Sequence, residues 1–234
     1  MKLIFIDENA NSRKNKYFLG IGILKIDLTK YKLIKESFQK NLEQMGWNFK
    51  EEFKGKYLFS KKGDKNIDIN KRIDFVSKLI DYSKSDKNAR YQFYFYYNFN
   101  GIQKENYIKL LRTGLTKCIS KCKNKKNGKD IYAVFLDSRD DLKYQEISEL
   151  CEKLIKEKNC TLLERPFIVN SSNNTPGIII VDILSYLASW YILNPNPSDN
   201  SLFQEKLSDP IRKKVKTVHD LLKKLGKKHF QKTE

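Results

Sequence analysis

Lys2-Leu3-Ile4-Phe5-Ile6-Asp7-Glu8 is an apolar run that stops at a carboxylate. Leu3 to Ile6 shows no polar alternation, the pattern of a central strand buried on both faces. Asp7 and Glu8 are then expected where that strand leaves its sheet. Ile131-Tyr132-Ala133-Val134-Phe135-Leu136-Asp137 repeats the arrangement far downstream. Two buried strands ending in aspartate place two carboxylates side by side at one sheet edge. Like charges at close range are unfavourable, and a divalent cation is the usual remedy. The expectation is a metal-dependent, phosphodiester-cutting site on these strand ends.

Outward from the first run, Asn9 to Lys16 is polar and reads as a turn, and Tyr17 to Ile26 as a second strand paired with the first in a hairpin. A helical pattern covers Lys30 to about Gln44 and ends at Met45-Gly46-Trp47. Glu51 to Phe59 is strand or irregular, and Ile69 to Ile80 supplies a second helical stripe. Arg90 to Phe99 is an aromatic strand, best read as core packing. A helix over Lys104–Ser120, a basic loop over Lys121–Lys129, a helix over Leu142–Lys156 and a strand over Leu162–Val169 follow. Thr175-Pro176 begins an apolar helix that runs to Leu193. Strands alternating with helices give an α/β sheet with helices on its faces, opened by a hairpin. Residues 1–194 form this domain, and 195–234 a basic helical tail beyond Asn194-Pro195-Asn196-Pro197. The stripe Leu221, Leu222 and Leu225 docks that tail on the body, or on a second subunit as a homodimer.

Among 234 residues the net charge is +18, which favours a polyanionic partner, nucleic acid first. Lysine makes up 39 of the 46 cations, so part of this charge reflects compositional bias. Lys121, Lys123, Lys125, Lys126 and Lys129 in the loop, and Arg212, Lys213 and Lys214 in the tail, are the candidate backbone contacts. Cys118, Cys122, Cys151 and Cys160 lack the paired spacings of a zinc site. With no secretory signal and no membrane span, a cytoplasmic protein with reduced thiols is expected.

The absence of histidine narrows the chemistry. His219 and His229, the only two, both lie in the tail, so Ser-His-Asp and Cys-His sites are not expected in the core. No Walker A loop occurs. Carboxylates must then do the work, and hard oxygen ligands select Mg²⁺ or Mn²⁺. Asp182 lies in a helix whose residues 178–181, 183 and 184 are all aliphatic. Such a carboxylate is paired, protonated or metal-bound, with Arg139 and Arg165 as candidate partners.

Phe5-Ile6-Asp7-Glu8 with its small polar turn and glycine-containing second strand resembles the family called domain of unknown function 3800, whose fold is ribonuclease H-like. Glu52-Phe53-Lys54-Gly55, Phe135-Leu136-Asp137 and Ile180-Val181-Asp182-Ile183-Leu184 look like three further segments of that family. The usual Asp-Glu-Ser-Gly is here Asp7-Glu8-Asn9-Ala10. The resemblance implies that Asp7, Glu52, Asp137 and Asp182 converge as catalytic ligands around two Mg²⁺ or Mn²⁺ ions ~3.5–4 Å apart. Glu8 and Lys54 are then accessory, Lys54 against a phosphate. The expected activity is a nuclease that leaves a 5′-phosphate. The alternatives are an inactive nucleic-acid-binding protein on the same fold, and a hydrolase or transferase of another phosphate ester.

Overall fold

Leu3 to Ile6 lie in the middle of a mixed seven-stranded sheet. The computed structural model describes residues 1–13, 16–48, 51, 53–59, 67–84, 91–120, 130–137, 144–169, 175–193, 216–217, 219–222 and 229–233. Strand β1 (Lys2–Arg13) forms a hairpin with β2 (Lys16–Asp27), from Lys2 opposite Asp27 to Arg13 opposite Lys16. Strand β3 (Tyr91–Asn98) pairs antiparallel with β2. On the other side of β1, β4 (Ile131–Asp137) runs parallel to it. β4 in turn carries β5 (Thr161–Leu162) and β6 (Phe167–Val169), and β7 (Phe230–Lys232) pairs in parallel with β3. The order is β5-β4-β1-β2-β3-β7, with β6 also on β4 and β2 antiparallel to its two neighbours.

Alternation along the strands divides the core in two. Ile4 and Ile6 of β1, Leu19, Ile21 and Ile23 of β2, and Tyr132, Val134 and Leu136 of β4 point to one side. There they meet α3 (Lys104–Cys118) and α4 (Tyr144–Glu157) through Leu110, Leu111, Leu115, Ile147 and Leu154. Leu3, Phe5, Leu24, Ile26, Phe93, Phe95 and Ala133 point to the other. That side is covered by α1 (Leu28–Met45), α2 (Ile69–Lys84) and α5 (Pro176–Leu193), with α5 lying across β1 and β2. Full burial of each aliphatic side chain contributes about 1.5–3 kcal/mol. By length and composition α5 would suffice to cross a membrane, but 72% of it is buried inside the protein, so here it serves as a core helix.

Three expectations are corrected. β1 does not leave the sheet at Asp7: Asn9 to Arg13 continue the hairpin, so Asp7 lies mid-strand and β4 alone ends there. The strand expected over Leu162–Val169 is two short strands. Leu163 to Pro166 interrupt it, and Pro166 has no N–H to give a ladder. The core does contain a histidine. His219 is fully buried, its ring 4.4 Å from Tyr191 and 6.0 Å from Trp190 at the far end of α5. Eight residues, about 12 Å of helix, separate Trp190 from Asp182, so His219 belongs to the packing of that end. Glu51 to Phe59 resolves, in its described part, into irregular Phe53-Lys54, with Lys54 extended, and a short 3₁₀ turn, Gly55–Leu58. The described tail residues dock on the body: Leu222 is in the core, and the Phe230 ring packs tilted against Tyr191 with centroids 5.4 Å apart.

Candidate functional site

Asp7 belongs to the same side of β1 as Leu3 and Phe5, the side that α5 covers. In β4 the series Ala133, Phe135, Asp137 follows the same alternation. Ile6 pairs with Leu136, so the next rung brings Asp7 level with Asp137 on the adjacent strand. Phe5 and Phe135, one alternation earlier, stack with centroids 4.9 Å apart, which fixes the relative placement of the two strands behind the carboxylates. Opposite Asp7 on β2 stands Gly22.

α5 reaches this surface because the residues beneath it are small or flat. A Cβ on Gly177 would lie 2.5 Å from the Phe5 ring, and one on Gly22 would overlap Ser185 Oγ. Asp182 stands between these two contacts on the same helix, one turn before Ser185, and so is carried over the Asp7 region. Its Oδ2 accepts a hydrogen bond from the backbone N–H of Gly55 at 2.7 Å. A Cβ on Gly55 would stand 2.7 Å from Tyr186 Cβ and 3.0 Å from Ile183 Cα, so a larger residue would push that N–H away. Lys54, half-buried, is thereby brought to the rim.

Asp7 is 6% exposed, and its carboxyl is held well above the usual carboxylate range. Burial is the first cause, followed by the negative charges of Asp182, Glu8 and Asp137, while a hydrogen bond from the Glu8 backbone partly offsets them. Glu8 alternates to the α3–α4 side but is still near enough to add its charge. The structure thus brings Asp7, Asp137, Asp182 and Glu8 into one electrostatic cluster from three elements. Among the described residues no three His, Cys, Asp or Glu side chains stand together as a ready ligand set. Glu52 lies outside the described residues, as do Lys121, Lys123, Lys125, Lys126, Lys129, Arg212, Lys213 and Lys214.

Two features escape a reading of residue types. Gly55 contributes a backbone donor, which has no signature beyond the glycine itself. Ser185 and Ser189 are buried on the Asp182 side of α5 with no hydrogen-bond partner among the described residues. Their spacing of three and seven from Asp182 in an apolar helix is the signal that could have marked that side. Thiol chemistry is remote from this surface. Burial pushes the Cys118 thiol up to about 11 and Cys151 to about 12, leaving neither as a thiolate at neutral pH. No protein-family model matches the chain, and no curated protein matches it.

Proposed function

We propose that this protein is a Mg²⁺- or Mn²⁺-dependent nuclease of ribonuclease H-like fold, acting on nucleic acid in the cytoplasm. One observation carries the reading: the buried Asp7 lies near enough to Asp182, Glu8 and Asp137 for their charges to add to the effect of burial in raising its proton affinity. Nothing in packing calls for that concentration of negative charge, and a divalent cation relieves it. The donors are all carboxylate oxygens, the set that suits Mg²⁺ or Mn²⁺. The strand order β3-β2-β1-β4-β5, with only β2 reversed, supports the fold assignment.

Asp7 and Asp137 on neighbouring strands, Asp182 on α5, and Glu52 would hold the ions. Divalent ions held there would supply an activated water and charge stabilisation for the leaving oxygen. The strand pairing keeps Asp7 and Asp137 at one level, and the Gly55 N–H orients Asp182. Lys54 at the rim holds the substrate phosphate. The resemblance to the domain of unknown function 3800 family is consistent with these roles.

The test is incubation of the purified chain with single-stranded and duplex DNA and RNA in Mn²⁺, beside Asp7→Asn and Asp182→Asn. Cleavage should fall at least about 100-fold in either variant. Undiminished cleavage by both variants would refute the assignment. A second reading, a nucleic-acid-binding protein without turnover, is favoured by the lack of a ready three-residue ligand set among the described residues. Salt-sensitive binding with no cleavage in any divalent ion selects it.

A further inference from the structure

We propose that the outward face of the Phe167 ring is a seat for an unpaired nucleobase, so that the substrate class of the carboxylate site is single-stranded nucleic acid. The chemistry of the site rests on the reading above; the seat rests on separate contacts. Tyr31, Phe5, Phe135 and Phe167 form a row on the α5 side of the sheet, with successive centroids 5.6, 4.9 and 5.0 Å apart. Their planes are tilted from one another by only 20°, 17° and 16°. The last three rings stand opposite each other on β1, β4 and β6, so their repeat is the interstrand spacing of about 4.8 Å. Within the row Phe5 is 1% exposed, whereas Phe167, the ring that ends it on the β6 side, is 36% exposed. Among the described residues no strand pairs with the outer edge of β6. A series of parallel flat faces therefore ends on a partly exposed ring of an edge strand, where one more aromatic plane would continue the stack.

The row also has a fixed place relative to the acids. Phe5 is two residues before Asp7 and Phe135 two before Asp137, on the same face, a rise of about 6.7 Å. Phe167 is likewise two before Val169, which is level with Asp137. A base seated on Phe167 thus lies one row of side chains behind the carboxylates, within reach of its own phosphate group at the acids. Arg165, exposed two residues before Phe167, and the net charge of +18 complement a polyanion rather than an apolar peptide. Bases inside a duplex are already stacked and paired, whereas an unpaired base has a free face to offer.

The test uses the full chain and a single-stranded oligonucleotide carrying 2-aminopurine, whose fluorescence is quenched on stacking. Titrations with wild type, Phe167→Ala, Phe167→Leu and Phe167→Tyr are paired with cleavage of the same oligonucleotide in Mn²⁺. Phe167→Ala and Phe167→Leu should each weaken binding by about five- to hundredfold and lose the quench. Phe167→Tyr should keep both. Because leucine retains the apolar volume, wild-type binding by Phe167→Leu overturns the seat, and Mn²⁺-dependent cleavage would still stand by itself. A Phe167-dependent quench in a chain that never cleaves leaves the seat in place and removes the nuclease reading. Duplex bound as tightly as single strand overturns the substrate class. If Phe167→Ala abolishes self-association and leaves oligonucleotide binding intact, the edge of β6 pairs with a second copy and the proposal fails.

Discussion

The two sides of the sheet are made by the same strands and do opposite things. Toward α3 and α4, β1 presents Ile4 and Ile6 and β2 presents Leu19, Ile21 and Ile23, an unbroken aliphatic layer. Toward α5, the intervening positions are Phe5 then Asp7 on β1, and Leu24, Gly22 and Gly20 on β2. The first side is closed and contributes stability. The second packs α5 closely onto glycine beside a buried charge and is destabilised by that charge. A single strand alternating with period two thus supplies the scaffold and the site at once, and neighbouring residues of β1 carry unrelated roles.

The sharpest way to break this comparison is to excavate the closed side. Ile6→Ala should destabilise the fold by about 2–5 kcal/mol in denaturant melts, with cleavage per folded molecule unchanged. A specific loss of cleavage would mean that the two sides are not separable. Next in size, Gly22→Ala drives a methyl group into Ser185 and should lose about 1–3 kcal/mol, part of which the double variant with Ser185→Gly recovers. Additive losses in that cycle would deny the helix-on-glycine contact.

Asp7→Asn has the opposite sign: removing the opposed charge should gain about 1 kcal/mol at neutral pH while activity is lost. That gain has a pH signature. The folded Asp7 holds its proton above the usual value of 3.8, so between that pH and its raised value the folded state binds more protons than the unfolded one. Stability should therefore fall as pH rises through this window, and Asp7→Asn should flatten the fall. Mn²⁺ should restore part of the wild type's loss, read as a rise in melting temperature. A melting profile that does not differ between wild type and Asp7→Asn would show that the charge is not opposed. Ser185→Ala should have the smallest effect, within about 0.5 kcal/mol, because its buried hydroxyl gives up no hydrogen bond to the described residues.

Much of this was legible along the chain. The uniform apolar runs ending at Asp7 and Asp137 identify two adjacent central strands, because burial on both faces suppresses polar alternation. Asp182 stands out for a similar reason, as one carboxylate among aliphatic neighbours. The continuation of β1 through Asn9 to Arg13 was not legible. That part of the hairpin pairs only with β2 and reaches past the end of β4, so no core imposes a hydrophobic pattern on it. β7 is three residues long, with a register set by a distant partner. Gly55 acts through its backbone, and residue type says little about where an N–H will point.

β7 has a kinetic consequence. His229 Nδ1 bonds the carbonyl of Phe93 at 2.6 Å across 136 positions of chain, and Thr233 bonds Tyr97 across the same span. Closing a loop of that length carries an entropic penalty before any contact rewards it. The edge of β3 should then acquire its hydrogen-exchange protection after the β1–β2 hairpin, whose contacts are local. The assembly order would run outward from the acids, with the sheet finished at the margin farthest from them.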